Sequence, residues 1–295
     1  MTEDKIKALV DLINKEPKAR LQEELVKIIK SNPGLFSRFL AKHYGASALL
    51  PRCVREALSC VRRENLQKHF AWFFDRRTPP LSDGVLLTAR FLNPRAEDGE
   101  LLKNFNALKE HILEEIEPAA DTFGYAACFE QVFFKDFNFR LEALCADDRI
   151  LSLPDMIQRR RATPFGMAVL YLLLARAADI EAKIVDMGGK PVVVFGGGEG
   201  FGEEVYIDIS ARGAFVSQSE CHIYAATRSV KWQPSLMKPL TSKQIIKRLL
   251  NNLVFIYSKA QSEGGNFTAA DLKAARGAQK GPLYYLRCYL KSYKD

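Results

Sequence analysis

The sequence predicts an α+β fold that is mostly helical, in which a buried central helix packs on a small antiparallel sheet between helical blocks. Three observations lead to this prediction. The segment after Thr163 has a helical pattern and almost no polar face, so it should be buried. Three short runs rich in β-branched residues follow it, separated by glycine-containing loops. The regions on both sides carry apolar residues at helical spacing.

The first part of the chain predicts an array of amphipathic helices, interrupted at Asn32-Pro33-Gly34. We assign residues 1–77 to an N-terminal helical domain and residues 78–295 to a second domain. The segment Asp75–Pro80 combines charge with two prolines that cannot continue a helix, which makes it the expected boundary. The first apolar stripes are Ile6, Leu9, Val10 and Ile13, then Leu21, Leu25, Ile28 and Ile29.

The second domain should consist of helices over 81–150, an α+β core over 151–225 and C-terminal helices over 240–295. Thr163 is a good N-cap, and Pro164 suits the first position of the central helix because its missing N–H costs no hydrogen bond there. The remaining predicted elements are the helix Phe165–Ala178, the strands Ala182–Met187, Pro191–Phe195 and Val205–Ile209, and the helix Lys243–Lys259.

Composition favours a folded protein of the cytoplasm. A hydrophobic content of 47% with 26% charged residues is ordinary for a globular chain. The first residues are acidic where a signal peptide would be basic, and no apolar run is long enough to span a bilayer. We therefore expect a cytoplasmic protein that makes no use of a membrane.

The six cysteines are scattered, with no Cys-x-x-Cys pair and no histidine at metal-ligand spacing. Reduced structural thiols are the favoured interpretation. We expect neither a bound metal nor a cofactor. The cysteines are Cys53, Cys60, Cys128, Cys145, Cys221 and Cys288.

The net charge of +8 is unevenly distributed. From Ala226 onward there are 13 Lys and Arg against 3 Asp and Glu, whereas the first 225 residues hold 30 against 32. Such a basic region can attract phosphates or an acidic protein surface. Nucleic-acid binding would require these charges to converge with aromatic residues such as Trp232 or Tyr285. A solvated helical face is favoured over that possibility.

Several motifs resemble one family when taken in order. The stretch Arg159–Leu172 is similar to the segment Arg-Arg-x-Gly-Ile-Pro-Ile-Ser-Leu-x-x-Leu-Tyr-Leu of the SirB-type transglutaminase-like family. The resemblance continues at Asp208, at Gly213 followed by Ser219–Cys221, and in Leu250–Tyr257. It covers roughly residues 80 to 260. It implies a papain-like or transglutaminase-like core.

The resemblance also implies where a catalytic triad would stand. In an active member, a cysteine at the start of the buried helix is stabilised as a thiolate, and a histidine and an aspartate on the following strands act as base and orienting group. These three positions fall on Pro164, Lys190 and Asp208. The nucleophile and the base are therefore missing. The aspartate is then expected to cap the end of its strand through backbone amides.

The favoured hypothesis is a non-catalytic binding or regulatory protein, that is, a pseudoenzyme. We expect its partner to be a protein. The first alternative is a cysteine-dependent hydrolase or transamidase with a relocated nucleophile, and the second is nucleic-acid binding by the basic C-terminal region. An anionic ligand near Arg160 and Arg161 is a further option. The glycine-rich stretch Gly196–Gly202 is interpreted as a hairpin loop and not as a phosphate cradle. The candidates for a relocated nucleophile are Cys128, Cys145 and Cys221.

Overall fold

The computed structural model describes most of the chain. The contacts within it define two compact units, Met1–Asp75 with Tyr257–Asp295 and Arg76–Ile256. The last residues thus group with the N-terminal helices, whereas the sequence assigned them to residues 78–295; the division into domains stays a prediction. The described residues are 2–44, 50–93, 98–116, 121–144, 147–196, 203–227, 231–263, 282–291 and 293.

The first unit begins with four helices that bury their apolar stripes against one another. They are α1 (Glu3–Lys15), α2 (Ala19–Ser31), α3 (Pro33–Tyr44) and α4 (Arg52–Asp75). The interruption of the helical pattern that was predicted at Asn32-Pro33-Gly34 is confirmed, because α2 ends at Ser31 and α3 begins at Pro33. The core of this group includes Ile6, Val10, Leu25, Ile29, Phe36, Phe39 and Val54.

The second unit begins with helices that precede its sheet. They are α5 (Leu81–Leu92), α6 (Asp98–Ile116) and α7 (Thr122–Glu130), and α7 runs into a π-helical turn, Gln131–Asp136. A short parallel pair follows, β1 (Arg140–Leu141) with β2 (Arg161–Ala162), and between these strands lie a 3₁₀ turn, Asp148–Leu151, and α8 (Leu153–Arg159).

The central helix α9 (Pro164–Ala177) is buried along almost its whole length. The hydroxyl of Thr163 accepts a hydrogen bond from the backbone N–H of Gly166 at 3.0 Å, so Thr163 is the N-cap and Pro164 is the first helical residue, as predicted. Tyr171 lies in the middle of α9, where its ring stacks on Phe133 with centroids 4.5 Å apart. Its hydroxyl donates to the carbonyl of Phe129 at 3.3 Å.

An antiparallel sheet follows α9, with its strands in sequence order. The strands are β3 (Ala182–Met187), β4 (Lys190–Phe195), β5 (Val205–Asp208) and β6 (Ala214–Val216). A 3₁₀ turn, Ile209–Ala211, follows β5. After β6 come α10 (Gln218–Thr227), a 3₁₀ turn, Pro234–Met237, and α11 (Ser242–Glu263). The helix α12 (Pro282–Lys291) belongs to the first unit, where it contacts α4 through Tyr289 stacked on Phe70 at 4.5 Å.

The two faces of the sheet pack against different helices. Residues alternate between the faces along a strand. Val192 and Val194 of β4 lie in an apolar cluster with Cys221 of α10. Phe195 points the other way, where its ring lies 5.2 Å from Phe129, which in turn contacts Tyr171 of α9. Thus α9 covers one face of the sheet and α10 the other.

The predicted fold class is confirmed, since the structure is mostly helical with a small antiparallel sheet behind a buried helix. The predicted strands agree with β3, β4 and β5 to within one residue at each end. The sequence did not predict β6, α10 or the short parallel pair. Among the described residues, no helix has both the length and the apolar character needed to cross a membrane.

Candidate functional site

Two of the three positions implied by the resemblance meet in a buried polar cluster. Nζ of Lys190 lies 2.6 Å from Oδ2 of Asp208, and the same oxygen accepts a hydrogen bond from the hydroxyl of Tyr224 at 3.0 Å. The ammonium group also lies 3.2 Å from the centroid of the Tyr224 ring, a cation–π contact. We call these three residues the Asp208 trio.

The strand ends bring the Asp208 trio together. Lys190 is the first residue of β4 and Asp208 the last of β5, and the antiparallel register pairs Asp208 with Val192. Since Lys190 and Val192 share a face of β4, the side chains of Lys190 and Asp208 lie on the α10 side of the sheet. There Tyr224 of α10 completes the cluster.

Asp208 has no unused oxygen. Its side chain is fully buried, and Oδ1 accepts the backbone N–H of Ala211 at 3.2 Å, which caps the 3₁₀ turn after β5. Oδ2 pairs with the ammonium group of Lys190 and accepts the hydrogen bond from the hydroxyl of Tyr224. A buried carboxylate is stable only when it is paired and hydrogen-bonded, and Asp208 meets both conditions. The predicted capping role of Asp208 is confirmed.

Pro164 is the first residue of α9, which packs on the face of the sheet opposite the Asp208 trio. The structure joins Lys190 with Asp208. The approach of Pro164 to these two residues stays a prediction.

An arginine covers the start of α9 on that other face. The guanidinium carbon of Arg248 lies 4.2 Å from the centroid of the Phe165 ring, next to Pro164. Arg248 also forms an ion pair with Asp186 of β3 and donates to the carbonyl of Gly189 at 3.0 Å. In an active enzyme of this architecture the thiolate would lie at this helix start. Here a cation and an aromatic ring occupy the neighbourhood.

Two of the three candidate nucleophiles, Cys128 and Cys221, do not have the environment of a reactive thiol. Cys128 donates to the backbone carbonyl of Glu115 at 3.2 Å, and Cys221 is buried in the apolar cluster behind β4. Burial raises the pKa of both thiols, and the charge of Asp208 raises that of Cys221 further. A raised pKa keeps sulfur in the less nucleophilic thiol form at neutral pH. Cys145 lies outside the described residues.

The adjacent pair Cys221 and His222 points in two directions. Cys221 is buried, whereas the ring of the exposed His222 stacks on Trp232 with centroids 3.5 Å apart. Adjacent residues of a helix do not share a face. The imidazole is therefore occupied by an aromatic contact on the outer side of α10.

The arginines before α9 already interact with other side chains of the protein. Arg159 pairs with Asp147 at 3.0 Å and Arg161 with Glu142 at 3.1 Å. The guanidinium carbon of Arg160 lies 5.4 Å from the centroid of the Phe137 ring. An anion at Arg160 and Arg161 would compete with Glu142, so this site stays a prediction. Residues 197–202 of the glycine-rich stretch lie outside the described residues.

Two residues of this site were missed by the sequence analysis. Tyr224 completes the Asp208 trio, but it lies on a helix that the local pattern did not predict. Arg248 reaches Asp186 from 62 residues further along the chain. Among the described residues, no group of three or more His, Cys, Asp and Glu side chains is placed to hold a metal ion.

Comparison with known proteins gives two family matches. No curated protein and no solved structure matches the chain. Residues 1–48 match the family described as probable RNA and SrmB-binding site of polymerase A. Residues 100–251, about half of the 295, match the transglutaminase-like superfamily, and this stretch contains α9 and the whole sheet. The chain therefore belongs to the transglutaminase-like superfamily.

Proposed function

We propose that this chain is a non-catalytic, SirB-type member of the superfamily that acts by binding a partner. One observation carries the proposal: the residues at the base and orienting positions, Lys190 and Asp208, are bound to each other inside the protein and are fully paired. The nucleophile position holds Pro164, which has no reactive atom. We expect the partner to be a protein.

The chemistry of the Asp208 trio argues against a catalytic base at Lys190. A catalytic base must point its reactive atom toward a substrate within hydrogen-bond reach. Nζ of Lys190 instead lies 2.6 Å from the buried Oδ2 of Asp208 and 3.2 Å from the centroid of the Tyr224 ring. The geometry of the cluster thus directs the amine into the protein.

Turnover assays with matched cysteine variants test the non-catalytic proposal. The full chain is incubated with a glutamine-containing peptide plus a primary amine, and separately with simple amide and ester substrates. We expect no turnover above background. Cys128→Ser, Cys145→Ser and Cys221→Ser should behave as the parent, and Cys53→Ser in the first unit is the control. Turnover that one of the first three substitutions abolishes and Cys53→Ser preserves would establish a relocated nucleophile instead.

A second candidate function, RNA binding by the first unit, is favoured by a specific comparison. Residues 1–48, which match the RNA-binding-site family, lie in that unit. The unit carries 21 Lys and Arg against 12 Asp and Glu, while the other unit carries 22 against 23. The excess positive charge of the chain therefore lies in the unit that contains the matched region, and not in the C-terminal residues alone. Phosphate backbones are attracted to such a surface.

Salt dependence tests this second candidate. Binding of a labelled RNA to the full chain is measured at about 50 mM and about 200 mM salt, because neutralising phosphates releases condensed counterions and makes affinity fall steeply with salt. We expect clear binding at the lower concentration and a steep decline. Absence of binding at about 50 mM salt would reject RNA as the partner.

A further inference from the structure

A groove crosses the surface of the first unit. Its volume is about 820 Å³, and every residue that lines it belongs to this unit. The lining comes from the end of α2, the start of α3, one face of α4 and the start of α12. Its principal residues are Lys30, Glu64, Asn65, Lys68, Tyr284 and Tyr285.

One face of α4 forms the floor of the groove. Val61, Glu64, Asn65, Lys68 and Ala71 recur at helical spacing and all line it. From the first to the last of these positions α4 rises about 15 Å, at about 1.5 Å per residue. That length matches about four stacking steps, which join about five nucleotides, at about 3.4 Å for each step of a strand.

The groove offers the chemical groups that single-stranded nucleic acid requires. The ring of Tyr284 is 44% exposed, and it meets Tyr285 edge-on at 5.4 Å. The exposed side chains of Asn65 and Lys68 supply an amide and a cation. Aromatic rings stack on unpaired bases of any sequence, amides reach base edges, and lysines contact phosphates.

The acidic residue of the groove is already neutralised. Glu64 forms an ion pair with Lys30 and accepts a hydrogen bond from the hydroxyl of Tyr285 at 3.3 Å. We call Lys30, Glu64 and Tyr285 the Glu64 trio. Since Lys30 cancels the charge of Glu64, Lys68 leaves the lining with a net positive charge. This net charge has the same sign as the excess of basic residues over the whole unit.

We propose that this groove binds single-stranded RNA, with a base stacked on Tyr284 and phosphates near Lys68. The inference rests on the proposed RNA binding of the first unit and assigns that binding to the groove. A duplex hides its base faces in the stack, so it cannot use the Tyr284 ring. The groove therefore selects unpaired strands.

The test compares RNA forms and matched variants of the full chain. Fluorescence anisotropy is measured with a labelled single strand of about 12 nucleotides and with a hairpin duplex of the same composition. Tyr284→Ala should weaken single-strand binding about fivefold or more, since stacking contributes about 1–3 kcal/mol for each base. Tyr284→Phe keeps the ring and should bind as the parent. Lys68→Gln should lower the slope of log affinity against log salt by about 0.7, the value for one phosphate contact on a single strand.

The controls separate failure of the groove from failure of RNA binding. Lys7→Gln removes an exposed lysine of α1 that does not line the groove, and thermal unfolding verifies that each variant is folded. Equal weakening by Lys7→Gln and Lys68→Gln, with no effect of Tyr284→Ala, would overturn the groove while RNA binding stands. Tighter binding of the duplex would overturn the preference for single strands. No binding of either form at about 50 mM salt would reject the RNA proposal itself.

Discussion

Each unit contains a carboxylate that pairs with a lysine and accepts a hydrogen bond from a tyrosine, and the two groups differ in burial. In the second unit Asp208 pairs with Lys190 and accepts a hydrogen bond from Tyr224. In the first unit Glu64 pairs with Lys30 and accepts one from Tyr285. The side chains of Asp208 and Lys190 are 0% and 19% exposed, whereas those of Glu64 and Lys30 are 22% and 43% exposed.

This difference in burial changes what the two trios can do. A buried ion pair is expensive to separate, because either charge left alone in the interior keeps its desolvation cost. An exposed pair contributes little and can exchange its partner for water or for a ligand. The Asp208 trio is therefore a fixed structural element at the ends of β4 and β5, and the Glu64 trio is available for exchange at an open groove.

The largest expected effect comes from removing the buried carboxylate. Asp208→Ala leaves Lys190 and Tyr224 without their acceptor and removes the cap of the 3₁₀ turn, so we expect a loss of about 3 kcal/mol in the free energy of unfolding. Urea denaturation measures it. Asp208→Asn keeps the size of the side chain but removes its charge and replaces one of the two accepting oxygens with an NH2 donor, so it should cost nearly as much. Equal and small losses for both variants would show that the trio does not support the fold.

The parts of the fold that were predicted depend on short-range patterns. The central helix was predicted because its cap and first residue are adjacent, Thr163 and Pro164, and because its apolar run is continuous. The strands β3 and β4 were predicted because β-branched residues lie between glycine-containing turns. These signals are contained within a few residues, so a single sequence is enough to read them.

The missed parts depend on contacts that local patterns do not encode. β6 has only three residues and is largely exposed, so it lacks a clear alternation. It returns to the sheet through Arg212 and Gly213, which take positive φ angles of 58° and 85°. Only this return brings α10, and with it Tyr224, beside Asp208. The candidate site was thus predicted at two strand ends, while the residue that closes it was not.

A smaller effect should appear in the pH dependence of the Asp208 trio. Burial, together with the hydrogen bond and charge of Asp208, raises the pKa of Tyr224 to about 12 from 10.0. Because the folded state favours the neutral phenol, this contribution to stability is fully present below pH 10 and is lost as the pH rises toward 12. Tyr224→Phe should cost about 1 kcal/mol near neutral pH through the lost hydrogen bond.

The pH profile of the difference is the informative measurement for Tyr224. The gap in unfolding free energy between the parent and Tyr224→Phe should narrow between about pH 10 and pH 12, because only the parent loses the phenol–carboxylate contact. Urea denaturation at several pH values measures it. A gap that stays constant up to pH 12 would contradict the assigned role of Asp208.

The smallest expected change in stability is at Glu64, and there the consequence should appear in binding. Glu64→Gln keeps the shape of the side chain and removes its charge, so unfolding should change by at most about 0.5 kcal/mol because the pair is partly exposed. Release of Lys30 from an ion pair of about 0.5 kcal/mol should strengthen single-stranded RNA binding about twofold at low salt. Glu56→Gln is the matched control on the same helix, since Glu56 pairs with Arg52 at 2.7 Å and does not line the groove. If Glu56→Gln strengthened RNA binding as much as Glu64→Gln, the gain would come from net charge alone, and the contrast between the two trios would not extend to ligand binding.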